Sequence, residues 1–344
     1  MTGRPTARMR HPLAGMRERL AIGPRTYFLI AAVALGALTL IVFTGAAVRV
    51  TGSGLGCPSW PKCYHNGRLV AETNSHALIE FGNRTLTSFV GLAAAAAGLS
   101  AFLRVPFRRD LAILGVLLPI GVVLQAVMGG LTVVYGLAPG WVMAHYGLSM
   151  LILVVAGALA WRARPAFGPD EPRTADLATA RAVWVMFAVG AVTIFLGTAA
   201  TAAGPHAGGS GTGDIVNRLS FRGADTLKWL VERHGWFATA LGLIAVGTWF
   251  LARRRGAERE LRVRLTRICL LMALQGVIGI VQYRLKLPSE IVWVHVATAT
   301  LLWVGIVLAA MQAGSPVRER VPQVAAADEG ALSAGGAPAQ VVRS

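Results

Sequence analysis

The sequence predicts an all-α integral membrane protein whose eight transmembrane helices form two pseudo-symmetric four-helix bundles. Three observations predict it. Of the 344 residues, 55% are hydrophobic and 14% charged, and the mean hydropathy is +0.58, a balance foreign to soluble globular domains. Eight apolar segments approach the roughly 20 residues that a helix needs to cross a bilayer. The second half of the chain also repeats the pattern of the first.

The first span is expected at 28–48, inside an apolar run from Tyr27 to Val48. That run exceeds the roughly 7–15 residues of a signal-peptide core, so it is expected to stay in the membrane. The other spans are expected at 84–103, 111–135, 141–161, 182–203, 235–252, 267–284 and 291–313. The sixth and seventh are the shortest and have polar ends.

An even number of spans puts both termini on one side. That side holds Arg4, Arg8, Arg10, Arg17, Arg19 and Arg25, then Arg104, Arg108 and Arg109, then Arg162, Arg164, Arg173 and Arg181. Seven arginines between Arg253 and Arg267 and three in the C-terminal tail (Arg318, Arg320, Arg343) bring the total to 23 of the 33 basic residues. The positive-inside rule makes this side cytoplasmic. The formal charge of +17 is then a topology signal and an attraction to anionic membrane lipid, and no nucleic-acid partner is expected. The protein is expected in the plasma membrane with both termini in the cytoplasm.

Residues 124–150 align with 274–300 without a gap at an offset of 150, with seven identities in 27. They pair Gln125 with Gln275 and His145 with His295. An offset of 151 aligns "SFVGL" (88–92) with "TALGL" (239–243) and brings Asn83 onto His234. An offset of 152 pairs Gly45 with Gly197 and "TGSG" (51–54) with "AGPH" (203–206). Four spans per repeat keep both copies in one orientation, related by an axis along the membrane normal. The expected organisation is a basic cytoplasmic tail (1–27), an N-terminal bundle (28–161), a cytoplasmic linker (162–181), a C-terminal bundle (182–313) and a disordered cytoplasmic tail (314–344), the last rich in small residues.

The first outer loop reads "TGSGLGCPSWPKC", with Cys57 and Cys63 six apart. Pro58, Ser59 and Pro61 favour a tight turn, and the outer side of a bacterial-type plasma membrane permits disulfides. The pair can be a structural staple, a redox-exchanging bridge or a metal site. Cys269, within the seventh span, is expected to be inert packing.

Of seven histidines, His11 lies in the N-terminal tail, and His65, His76 and His206 are placed in outer loops. His145, His234 and His295 fall near the outer ends of the fourth, sixth and eighth spans. An ionisable residue at membrane level is a functional candidate by default, although a single such histidine is more often a hydrogen-bonded packing residue. His234 and His295, on the second and fourth helices of the second half, could grip a metal between facing helices. The matching pair in the first half is Asn83 and His145. A porphyrin wedged in each bundle suits these histidines better than a bare ion, since no zinc-type spacing occurs. The second span opens with "LIEFGNR", which puts Glu80, Asn83 and Arg84 on one helix face. Arg84 can pair with Glu80 or bind a propionate. Glu80 can be half of an interfacial ion pair, or a proton acceptor, proton donor or carbocation stabiliser at a heme edge.

Together "TGSGLGCPSWPKC", "LIEFGNR", "GPHAGG" and the three span histidines resemble the heme A synthase family, bacterial type, over about residues 28–313. The resemblance implies a membrane oxidoreductase that converts heme O to heme A for cytochrome oxidase. It would oxidise a porphyrin methyl group to a formyl group by successive hydroxylations. It also implies that His234 and His295 bind heme b in the C-terminal bundle and that His145 faces the substrate heme O in the N-terminal bundle. Asn83 and Arg84 would lie beside that substrate. Glu80 would be the catalytic carboxylate, and Cys57 and Cys63 the disulfide of the outer loop, a structural bridge or one that receives electrons or helps pass the substrate. A heme O synthase and cytochrome oxidase assembly are the expected partners, and a homo-oligomer is a further expectation.

One departure stands out: the family usually has histidine three residues after this glutamate, where this chain has Asn83. Either the substrate heme is five-coordinate through His145, or His76 supplies the missing ligand, or the first site has changed purpose. The first reading is favoured. Two other classes are open to the same residues. A membrane b-type cytochrome that only transfers electrons would explain the histidines but not Glu80 or the cysteine pair. A transporter fits the parallel repeat but lacks paired discontinuous spans.

Overall fold

A computed structural model describes residues 20–64, 66, 74–165, 176–209 and 211–316. The tail arginines Arg4 to Arg19, Arg173, Arg318, Arg320, Arg343, His11, His65 and the tail expected to be disordered beyond 316 lie outside the described residues. Eight long helices run α1 (Pro24–Val50), α2 (Ser75–Leu103), α3 (Arg109–Val134), α4 (Pro139–Arg162), α5 (Leu177–Ala203), α6 (Thr226–Arg254), α7 (Arg259–Arg284) and α8 (Ser289–Ala313). A 3-10 turn, Gly223–Asp225, leads into α6. Each of the eight is long and apolar enough to cross a membrane, and the protein is a multi-pass membrane protein.

The helices are longer than the apolar segments. α2 begins at Ser75, not near 84, and the side chain of Asn74 caps it by accepting the His76 N–H at 3.0 Å. His76 therefore sits in the first turn of α2 rather than in the preceding loop. α6 and α7 have 29 and 26 residues and are not short. Hydropathy finds only the hydrocarbon-level stretch of a helix. Helical hydrogen bonding continues through polar residues once the helix is nucleated.

Each helix packs on the next, and α1–α4 and α5–α8 contacts close two four-helix rings. The rings meet along α1, α4, α5 and α8. Inside a membrane such contacts rely on small residues that let backbones approach. Ala31, Ala34, Ala94, Ala97 and Ala101 are completely buried, and a side chain on Gly98 of α2 would meet the Gly115 carbonyl of α3 at 2.9 Å. Large residues point outward instead: Phe89, Leu99, Leu243 and Leu270 are all exposed, as lipid-facing positions require. Between the rings, Trp303 Nε1–H donates to the Met150 carbonyl at 3.1 Å and Trp293 Nε1–H to the Phe43 carbonyl at 2.9 Å.

The α3–α4 and α7–α8 turns share one geometry. Leu137 and Leu287 have φ of 58° and 63°, and their N–H groups bond Thr132 and Gln282 carbonyls, each at 2.7 Å. The preceding residues, Gly136 and Lys286, are also left-handed, with φ of 57° and 62°. At the opposite, arginine-rich end, Asp110 pairs with Arg108 at 2.7 Å and Arg162 at 3.2 Å.

Candidate functional site

In the second ring, α6 and α8 stand diagonally opposite and carry His234 and His295. Their imidazoles are 6.2 Å apart between centroids and inclined at 72°. His234 Nδ1 is fixed 3.0 Å from the Thr193 carbonyl of α5. Its ring lies on Gly197, where a Cβ would come within 2.9 Å of Cε1. His295 rests likewise on Gly279 of α7, whose Cβ would sit 3.5 Å away. Gln275 anchors the backbone here, donating to the His295 carbonyl at 3.0 Å and accepting from Thr298 at 2.7 Å.

The first ring repeats half of this arrangement. His145 on α4 rests on Gly129 of α3, at 3.3 Å from the position a Cβ would take. Gln125 donates to the His145 carbonyl at 3.0 Å. Opposite it on α2 stands Asn83, whose Oδ1 accepts the Thr44 hydroxyl of α1 at 2.8 Å. His145 Nδ1 and His295 Nδ1 are both buried without a hydrogen-bond partner among the described residues. Such orphaned nitrogens cost about 1–3 kcal/mol each unless something meets them. Two imidazoles facing across a helix ring can hold a metal between them, and bonds of about 2 Å on each side plus the ring radii require a separation near the one observed.

The loop between α1 and α2 forms the third part. Cys57 and Cys63 are joined as a disulfide, which excludes the reading of this pair as thiolate metal ligands. Glu80, only 5% exposed, accepts the Cys57 N–H at 2.7 Å through Oε2 and Arg84 at 2.5 Å through Oε1. Arg84 also donates to the Ser59 and Cys57 carbonyls at 2.9 and 3.1 Å. Trp60 reaches across to α3 and lies on Gly130, where a Cβ would clash at 2.6 Å. The loop is thus docked over the first ring, beside the helix turn that carries Gly129.

His76 is tied to this loop, its Nδ1 2.8 Å from the Ser53 hydroxyl. His206 Nε2 lies 2.7 Å from the Leu287 carbonyl, and its own carbonyl accepts Arg49 Nε–H at 3.0 Å. The "GPHAGG" segment thereby joins α1 to the α7–α8 turn, and Gly54 N–H bonds Gly208 O at 2.8 Å. Cys269 packs, partly buried, against the core of the second ring. Sequence reasoning missed Thr44, Thr193, Trp60 and the glycines under the histidines. Gly129 and Gly279 recur at the same offset of 150 as the histidines they support, a signal that was available.

Residues 27–70 and 67–307 match the COX15-CtaA family, described as cytochrome oxidase assembly protein. The chain belongs to the COX15-CtaA family. Family relatives named heme A synthase include one from Listeria welshimeri, 35% identical over 117 residues, which are 33% of this chain and 38% of that protein. Another, from Bacillus pumilus, is 34% identical over 117 residues, covering 33% and 37%. A third, from Bacillus licheniformis, is 29% identical over 116 residues, covering 33% and 38%. The chain thus aligns with less than two fifths of the length of these relatives, while the COX15-CtaA match extends through both rings.

Proposed function

We propose that the protein is a heme A synthase, a plasma-membrane oxidoreductase that converts heme O to heme A in cytochrome oxidase assembly. The observation that carries this reading is the His234–His295 pair, two imidazoles 6.2 Å apart on facing helices in a chain of the COX15-CtaA family. In this reading the two halves are a parallel repeat with cytoplasmic termini. His234 and His295 hold heme b, and His145 holds the substrate heme O in the first ring. A bound heme b would supply one-electron transfer to or from the substrate site.

The chain's own residues supply the rest. Gly197 and Gly279 make room for the imidazoles, and Thr193 fixes the tautomer of His234 by accepting its Nδ1–H, which leaves Nε2 for the metal. Glu80 is the carboxylate placed to take protons as the substrate methyl is oxidised to formyl by successive hydroxylations. Arg84 pairs with Glu80 and keeps it oriented between turnovers. The bridged loop, with Trp60 over Gly130, closes the first ring toward the outer side and excludes water.

The test is chromatographic heme analysis of the purified protein expressed together with a source of heme O. Heme A in the wild type and its absence in His145→Ala is the expected result. Heme b alone in the wild type would overturn the reading in favour of an electron-carrying cytochrome.

A further inference from the structure

The two rings differ at one position. In the second, an imidazole fills the space over Gly197, and its Nδ1 is bonded to a carbonyl of α5. In the first, the residue at the corresponding place is Asn83, which is shorter by most of a ring. Gly45, the counterpart of Gly197, has nothing within 4 Å of where its Cβ would stand. Thr44, beside it, donates its hydroxyl to Asn83 Oδ1 at 2.8 Å. The Thr44 hydroxyl also lies 3.2 Å from the Ile41 carbonyl; with its proton on the shorter bond, to Asn83 Oδ1, the NH₂ end of the amide is left to donate. Diagonally across the ring, His145 has a buried nitrogen without a partner.

We propose that the first ring binds its heme through His145 alone and that Asn83, Thr44 and Gly45 form a small-ligand pocket on the other heme face. Asn83 Nδ2–H is the hydrogen-bond donor to a neutral diatomic ligand or a water molecule there. The inference rests on the heme-binding reading above and deepens it: this site takes a small exogenous ligand, while the His234–His295 site is closed by its second imidazole. An asparagine amide is a donor strong enough to orient such a ligand and too weak a base to displace it.

The experiment uses the full chain in detergent, titrated with hemin to saturation, reduced, and exposed to carbon monoxide. The expected result is that two hemes bind per chain and only one of them takes up carbon monoxide. Asn83→His should abolish that uptake and convert the reactive heme to a low-spin spectrum. Asn83→Leu should keep the uptake, weaken it by about 5- to 10-fold, the worth of one hydrogen bond, and raise the carbon–oxygen stretching frequency. A chain that saturates at one heme, a two-heme wild type unreactive to carbon monoxide, or an Asn83→Leu variant with unchanged affinity and frequency would each overturn the proposal. Heme A analysis of the same preparations separates the two readings. Carbon monoxide uptake without any heme A formation sinks the synthase reading alone, and heme A formation without uptake sinks this one alone.

Discussion

Glu80 Oε2 accepts the backbone N–H of Cys57 at 2.7 Å, so the carboxylate of α2 is also the anchor of the disulfide loop. Its other oxygen holds Arg84, which binds the same loop at two carbonyls. Glu80→Gln keeps the shape and one acceptor but removes the charge. Heme A formation is expected to fall by about 10²-fold or more, the usual worth of a positioned acid–base group, while the heme of the second ring stays bound. Heme chromatography alongside the absorbance spectrum checks both halves of this expectation. Undiminished heme A would leave Glu80 only its anchoring role.

Cys57→Ser opens a bridge that closes a loop of six-residue separation. The lost constraint on the unfolded chain amounts to about 2 kcal/mol, and it is local, because the helix cores lie elsewhere. The expected phenotype is a loop that limited proteolysis cuts readily, with the second-ring heme spectrum unchanged and heme A yield lowered. Protection equal to the wild type would show that Glu80 and Arg84 suffice to hold the loop.

Gly197→Ala places a methyl 2.9 Å from His234 Cε1. The imidazole is pinned by Thr193 and has little freedom to yield, so overpacking of about 1–3 kcal/mol is expected. The heme-to-protein ratio of the second ring should drop. Gly45→Ala, with open space around it, should leave that ratio unchanged. Equal heme loss in both variants would contradict the difference between the rings.

Lys286 adopts φ of 62° where the matching turn uses Gly136. A side chain in this region costs roughly 1 kcal/mol, so Lys286→Gly should raise the thermal midpoint in detergent slightly. The opposite change, Gly136→Lys, should lower it. A destabilised Lys286→Gly would mean that the lysine side chain has contacts that outweigh its backbone strain.

The spans were legible because twenty apolar residues leave a coarse mark that no tertiary contact erases. Their ends were not: the second span was expected from 84 with His76 in the loop before it, yet the helix that carries the Glu80–Asn83–Arg84 face already begins at Ser75 and includes His76. The meeting of His234 and His295 was legible from their places on the second and fourth helices of the second half, and the internal offset tied His295 to His145. The cradles beneath the rings could have been found by the same comparison, since Gly129 and Gly279 share it. The partners of Glu80 were only half legible. Arg84 stands one turn away on the same helix, whereas the Cys57 N–H reaches Glu80 only through the folded loop. Thr44 left no local mark at all, because its bond to Asn83 depends on how α1 lies against α2.

The Trp293–Phe43 contact between the rings has a consequence for how they communicate. Trp293 precedes His295 by two residues, and Phe43 directly precedes Thr44. A bonded route therefore runs from the imidazole of His295 along α8 to the indole, across one hydrogen bond into the Phe43 carbonyl, and on through Thr44 and a second hydrogen bond to Asn83. Everything else along that route is covalent. The two rings are thus joined by a bonded route along the α1–α8 seam, separate from the Arg49–His206 and Gly54–Gly208 bonds of the loops.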